Sequence, residues 1–288
     1  MLDYHLHLWP HGQRATQPTV EELAAYCEKA TAAGITEIAL TEHLFRFTQA
    51  DAPLAGCWQG DPNPALRRQA EAYWREHNSA DLDVYMEVAG EAKASGLPVV
   101  VGLEVDYYPG RMDRVRSLLD GYPFDVLLGS VHWIGAWLFD VIESSVVQAE
   151  WDHRGVEAAW GAYAEALEEL AGSGAVDVLA HPDLCKVAGR RPAVPDEFHD
   201  RIAEAARSAG LAAEVSSAGW RKPCAEAYPA PPLLARFHQL GVPVTTASDA
   251  HTLQDVGFRT DDLRPLLEDA GYTELASFRS RRLQAVPL

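Results

Sequence analysis

The strongest constraint on this chain is a regular alternation. Short runs of β-forming residues are each followed by a longer stretch with helical spacing. The strand-like runs are Leu2–Leu8, Ile35–Thr41, Val99–Val105, Phe124–Val131, Val176–Ala180, Leu211–Ser216 and Val242–Ala247. Thr19 opens the first helix, three residues ahead of Glu22 in the spacing of a capping box, and Gly34 closes it. Between the fourth and fifth strands, Val156, Trp160, Tyr163, Leu167 and Leu170 recur at helical spacing and mark one apolar face. Strands joined through helices pair in parallel, because the chain must cross back over the sheet before the next strand begins. Seven such units predict an α/β barrel, with an open doubly wound sheet as the alternative. The stretch after Leu263 leaves an eighth unit open. With 288 residues, 48% of them hydrophobic, the chain can fill one barrel core, and a single domain over residues 1–288 is expected. The segment Asp51–Asn63, with two prolines, two glycines and Trp58, is long for a connection and is expected to form a lid.

Charge narrows the partners. There are 24 basic and 42 acidic residues, a net −18, and no block of like charge. Such a surface repels nucleic-acid phosphates and anionic lipid, so neither nucleic acid nor membrane is an expected partner. No apolar run approaches the length of a membrane span, and Met1–His7 lack the features of a signal peptide, so a cytoplasmic location is expected. Cys27, Cys57, Cys185 and Cys224 form no Cys-x-x-Cys pair and read as reduced thiols. Oligomeric state is not legible.

The histidines carry the chemistry. Seven of the eleven fall at or just beyond the C-terminal end of a strand-like run. The first run delivers His5 and His7, with His11 in the loop that follows. The second ends in Thr41-Glu42-His43, and the third carries Glu104. The fourth leads to His132, the fifth to His181, and the seventh to Asp249 and His251. Residues two apart on a strand share a face, and parallel strands present their C-terminal ends to one mouth. Burying unpaired imidazoles costs a few kcal/mol each, so packing is a poor reason to gather them. Imidazole and carboxylate without thiolate suit Zn, Mn or Fe. His77, His153, His199 and His238 sit on helical stretches beside charged residues and are expected to be solvated or capping.

In chain order the motifs are His-x-His, Pro-His-Gly, Glu-His, Gly-Leu-Glu, Gly-Ser-Val-His, Ala-His-Pro-Asp, Glu-Val-Ser-Ser-Ala-Gly-Trp-Arg-Lys and Ser-Asp-Ala-His. This series, from residue 3 to about residue 258, resembles the polymerase-and-histidinol-phosphatase (PHP) superfamily, and within it the monofunctional histidinol-phosphate phosphatases. The resemblance implies a distorted seven-stranded barrel and three divalent metal ions. It places His5, His7, Glu104 and Asp249 on one ion. Glu104, His132 and His181 fall on a second, and His11, His43 and His251 on the third. It implies hydrolysis of L-histidinol phosphate, a small phosphate ester, in histidine biosynthesis.

Asp249 and His251, with Arg46 and Arg221, are the expected catalytic groups. Arg46, Arg221 and Lys222 are expected to bind the phosphate, because guanidinium matches its geometry. Glu214 is expected either to orient a ligand histidine or to bind the substrate's amine, with Glu42, Asp106 and Asp183 as other carboxylates for the amine. Trp133 is read as core rather than pocket wall. Two alternatives stay open: a PHP phosphoesterase for another small ester or a nucleotide, and an amidohydrolase-type metal hydrolase.

Overall fold

In the computed structural model, which describes residues 1–288, every strand-like run forms a strand, six of them shorter by one to three residues and the third longer by one. β1 (Leu2–Leu6) leads to α1 (Val20–Ala32), whose Glu22 amide donates to the Thr19 hydroxyl at 3.1 Å. β2 (Glu37–Leu40) is followed by α2 (Asp51–Leu54), α3 (Pro64–His77) and α4 (Leu82–Ala94). Then come β3 (Val99–Asp106), α5 (Met112–Leu119), β4 (Val126–Ser130), α6 (Ser145–Arg154), α7 (Val156–Gly172) and β5 (Val178–Leu179). The chain continues through α8 (Asp196–Ala209), β6 (Ala212–Ser216), α9 (Pro231–Gln239), β7 (Val244–Ala247) and α10 (Leu263–Ala270). It ends in a hairpin of β8 (Glu274–Arg279) and β9 (Arg282–Pro287).

The first seven strands pair in parallel in sequence order. β1 and β7 then meet across a seam. Thr246 Oγ1 donates to the Leu2 carbonyl at 2.6 Å, and the His7 amide donates to the Ala250 carbonyl at 2.8 Å. Buried Asp3 clasps the seam by accepting the Ser248 amide (2.7 Å), the Ser248 hydroxyl (2.6 Å) and the Gly257 amide (3.1 Å). The result is a nearly closed (β/α)7 barrel. β3 is buried along its whole length, as a parallel strand covered on both faces must be. Gly102 is required there, since a Cβ would come within 2.6 Å of the Val126 carbonyl oxygen. The apolar face of α7, from Trp160 through Tyr163 and Leu167 to Leu170, is buried as its spacing demands. No helix is long and apolar enough to cross a membrane.

One open point is answered and two expectations need correction. The C-terminal stretch supplies no eighth barrel unit. Its hairpin covers the opposite end of the barrel from the histidines, where Phe278 N donates to Tyr4 Oη (3.1 Å) and Ser280 N to Asp125 Oδ1 (3.0 Å). The segment 51–63 is scaffold rather than lid. Leu54 and Trp58 anchor it in the core, and Arg111 donates to the Ala55 carbonyl at 2.8 Å. Asp61 accepts the Ala136 amide at 3.0 Å, so the far end of the segment is tied down as well. His77 and His199 are buried, not solvated. His77 Nδ1 donates to the Tyr73 carbonyl (2.8 Å) while Nε2 accepts the Gly12 amide (3.2 Å), fixing the loop that carries His11. His153 and His238 are exposed as expected, and all four cysteines are free.

Candidate metal centre and active site

Each strand end contributes for a local reason. His5 and His7 are two apart on and just past β1, so both rings turn inward. His43, His132 and His181 each follow the last residues of β2, β4 and β5, while Glu104 points inward from β3. Glu104 is the hub. Its Oε2 lies 2.7 Å from His43 Nδ1, 3.1 Å from His5 Nε2 and 3.5 Å from His7 Nε2. Its Oε1 lies 3.0 Å from His181 Nε2 and 3.3 Å from His132 Nε2. Asp249 Oδ1 stands 3.5 Å from His7 Nε2, 3.6 Å from His251 Nδ1 and 3.8 Å from His5 Nε2. His11 reaches the group from its loop, its ring centroid 3.9 Å from that of His251. The nine residues that the sequence singles out as ligands therefore converge.

Their environment suits cations. Four overlapping groups hold ligand atoms within coordinating reach of one another: His5 with His7 and Asp249, His5 with Glu104 and His181, His7 with His43 and His251, and His43 with Asp106 and His132. Buried His5 Nε2, His7 Nε2, both nitrogens of His43, His251 Nε2 and Glu104 Oε2 have no hydrogen-bond partner, a costly state that a bound ion relieves. The rings of His7 and His251 are stacked at 4.0 Å, and imidazoles that close cannot all carry protons. The donor set, imidazole and carboxylate with no thiolate, fits divalent metals.

A second ring of carboxylates fixes which nitrogen faces the centre. Glu214 Oε2 takes His5 Nδ1 at 2.7 Å, and Asp106 Oδ1 takes His132 Nδ1 at 2.6 Å. Glu42 Oε2 lies 3.5 Å from His7 Nδ1. Such partners hold the tautomer and make the imidazole a better ligand. Burial opposes protonation of His5, yet Glu214, Glu104 and Asp249 hold its pKa well above the ordinary value. Burial likewise opposes protonation of His132, but Glu104 and Asp106 carry it up to about 10. For His43 and His251 burial wins, and both are held well below the usual imidazole range. Burial alone would raise Glu104 and Asp249, but the surrounding imidazoles draw both well below the carboxylate range. His181 (φ 27°) and Asp249 (φ 51°) occupy left-handed backbone, a strain that non-glycine residues bear where a site demands it.

All nine but His5 and His7 line a cavity of about 290 Å³. Arg221 and Lys222 line it, as expected. Arg221 Nη2 donates to the carbonyls of Ser248 (2.8 Å) and Asp249 (2.9 Å), while its buried Nη1 has no hydrogen-bond partner. Arg46 does not reach the cavity. It is wholly buried, and its guanidinium donates to the carbonyls of Trp9 (3.0 Å), Pro10 (3.0 Å) and Gln13 (3.1 Å). It shapes the loop of His11 rather than binding substrate. Glu214 is likewise enclosed, bonded to His5 and to the His181 amide (3.3 Å), which leaves no carboxylate oxygen for a substrate amine. Asp183 is engaged by Lys186 and the Ala230 amide, both at 2.8 Å. Trp133 is both buried and part of the cavity wall, with Phe45 and Tyr73 beside it. Phe45, Tyr73 and Asp140 escape sequence reading, because they lie in connections with no motif to flag them.

The comparisons agree with this geometry. The model of the PHP domain matches residues 4–218, well over half of the chain. A Deinococcus radiodurans protein named as a probable histidinol-phosphatase is 33% identical over 285 residues, 99% of this chain and 98% of that one. Among solved structures, the histidinol phosphate phosphatase of Lactococcus lactis, complexed with zinc, L-histidinol and phosphate, superposes with a TM-score of 0.71. It is 21% identical and covers 98% of each chain. A Listeria monocytogenes chain assigned as a histidinol phosphatase gives a TM-score of 0.73 at 22% identity, over 91% of this chain and 99% of that one. At those identities the two structures speak for the fold. From the family match and the full-length relative, the chain belongs to the PHP domain family.

Proposed function

We propose that this chain is a metal-dependent phosphomonoesterase that hydrolyses L-histidinol phosphate to L-histidinol and phosphate, and so serves histidine biosynthesis in the cytoplasm. One observation carries the reading. Five imidazoles with Glu104 and Asp249 line one small cavity, and those of His5 and His7 meet the same two carboxylates, in a chain related over its full length to a probable histidinol-phosphatase.

His5, His7, Glu104 and Asp249 would hold one ion, Glu104, His132 and His181 a second, and His11, His43 and His251 a third. When bound, divalent ions such as Zn, Mn or Fe supply Lewis acidity and positive potential for the phosphoryl oxygens. The chain's own residues do the rest. Glu214, Asp106 and Glu42 keep ligand nitrogens aimed at the centre. Arg221 offers its free Nη1–H to a phosphoryl oxygen, and exposed Lys222 adds charge at the mouth. Water attacks phosphorus as the bond to the leaving alkoxide oxygen breaks. The Asp249 carboxylate stays ionised among its imidazole neighbours and would remain a ligand, and the proton lost by the attacking water ends on the departing alkoxide oxygen, so the products are the alcohol and phosphate. The aromatic wall of Phe45, Tyr73 and Trp133 excludes solvent beside the leaving group.

The test is phosphate release from L-histidinol phosphate and a panel of sugar, nucleotide and aryl monoesters, with metal content measured on the same sample. Preference for L-histidinol phosphate, lost on chelation and restored by metal, is the expected result. Preference for a nucleotide, or amide cleavage without phosphatase activity, overturns it.

A further inference from the structure

One acidic side chain of the cavity neither faces the clustered imidazoles nor pairs with a cation. The lining carboxylates are Glu104, Asp140, Asp249 and Asp255. Glu104 and Asp249 face imidazoles. Asp255 lies 3.7 Å from Arg221 Nη1 and accepts the Thr252 hydroxyl at 2.8 Å. Asp140, between β4 and α6, has no cationic partner, and its carboxylate takes a hydrogen bond only from its own backbone N–H. Burial pushes its carboxyl up, and His132 and Lys222 pull on it only from a distance. A partly buried carboxylate without a counter-charge is unfavourable until a cation is brought to it. The aromatic wall lies at the same cavity, with ring centroids 5.5 Å apart for Phe45 and Tyr73 and 5.9 Å apart for Phe45 and Trp133. The cavity thus offers a metal floor for phosphate, aromatic faces for a flat ring, and one unpaired anion.

We propose that Asp140 reads the ammonium group of an amino-alcohol phosphate and sets the enzyme's preference for amine-bearing esters. This rests on the phosphatase reading above and deepens it. The substrate's ring lies along Phe45, Tyr73 and Trp133, its phosphate sits at the metal end beside Arg221, and its ammonium meets Asp140. An ester that lacks the amine leaves the carboxylate desolvated and unpaired. Discrimination therefore comes as much from that penalty as from the attraction between ammonium and carboxylate.

The experiment compares metal-loaded wild type with Asp140→Asn and Asp140→Ala. The substrates are L-histidinol phosphate, its deaminated counterpart 3-(imidazol-4-yl)propyl phosphate, and p-nitrophenyl phosphate. Wild type should favour the amine-bearing ester in kcat/KM by about 10- to 150-fold, the range for a hydrogen bond to a charged group. Both variants should bring that ratio to within about threefold of unity, chiefly through KM, since what they lose is that one charged interaction. Calorimetry should show L-histidinol binding weakened in the variants by a similar factor, with metal content retained. An unchanged ratio in a variant overturns the assignment while leaving the phosphatase reading intact. Equal losses on all three esters with loss of metal also overturn it, because Asp140 would then be supporting His132. If wild type hydrolyses p-nitrophenyl phosphate but shows no preference for the amine-bearing ester, the substrate reading fails as well.

Discussion

Replacing Glu214 separates two roles that a buried carboxylate can play at this site. Its Oε2 holds His5 Nδ1 at 2.7 Å and its Oε1 meets the His181 amide at 3.3 Å, so it braces ligands from β1 and from the end of β5. Glu214→Ala leaves His5 Nδ1 without a partner in a fully buried position. A hydrogen bond to a charged group contributes about 1.5–3 kcal/mol, so its loss amounts to about 10- to 150-fold in metal affinity. The general effect of removing an outer partner of a ligand histidine, about 10- to 100-fold, falls in the same range. Glu214→Gln keeps an acceptor but not the charge and should lose less, nearer tenfold than hundredfold. The assay is kcat and KM at fixed free metal, with metal content measured after dialysis. The expected result is a fall in kcat/KM that tracks metal occupancy and is recovered at high metal, with KM for substrate nearly constant. Full metal content with a rise confined to KM for an amine-bearing ester would refute this, and would return Glu214 to the substrate.

Other consequences follow from the same structure. Arg46→Ala removes donors from three loop carbonyls and leaves buried Glu42 without the guanidinium 3.6 Å away, so urea unfolding should show a loss of about 3–5 kcal/mol. Lysine should not rescue it, and wild-type stability with weakened phosphate binding would restore Arg46 to the substrate site. Arg221→Ala should weaken competitive inhibition by inorganic phosphate by about tenfold or more, while unaltered inhibition would remove Arg221 from the phosphate site. Metal uptake should release protons. In the metal-free fold His132 keeps its proton up to about pH 10, so at neutral pH the metal must displace it. Apparent metal affinity should therefore rise with pH up to that pKa, by about tenfold per unit for each proton released. Calorimetry in buffers of different ionisation enthalpy reads this, and uptake with no proton release at neutral pH contradicts it.

Much of the architecture was legible because two periodicities coincide. Helical and strand spacings alternate cleanly, and the ligands fall at strand ends, where a parallel barrel must bring them to one mouth. His5 with His7, and Asp249 with His251, could be placed on a shared face from spacing alone. What stayed hidden depends on where long side chains end. Arg46 and Arg221 look alike in sequence, each a few residues past a strand-end motif. Only packing distinguishes the arginine that is bonded to three loop carbonyls from the one that keeps a free N–H at the cavity. Glu214 could bind an amine on sequence grounds until its two oxygens were seen to be taken by His5 and the His181 amide. The segment 51–63 has a loop's composition, yet Leu54 and Trp58 are enough to bury it. Asp140 carries no local signal, since its significance lies in the absence of a cationic partner.

The most direct test is the metal content of purified, catalytically competent protein, read by elemental analysis together with anomalous diffraction at each metal's edge. Three divalent ions per chain are expected, in contact with His5, His7, His11, His43, Glu104, His132, His181, Asp249 and His251, with activity that disappears when they are stripped. Full turnover by metal-free protein, or ions bound away from these side chains, would contradict it.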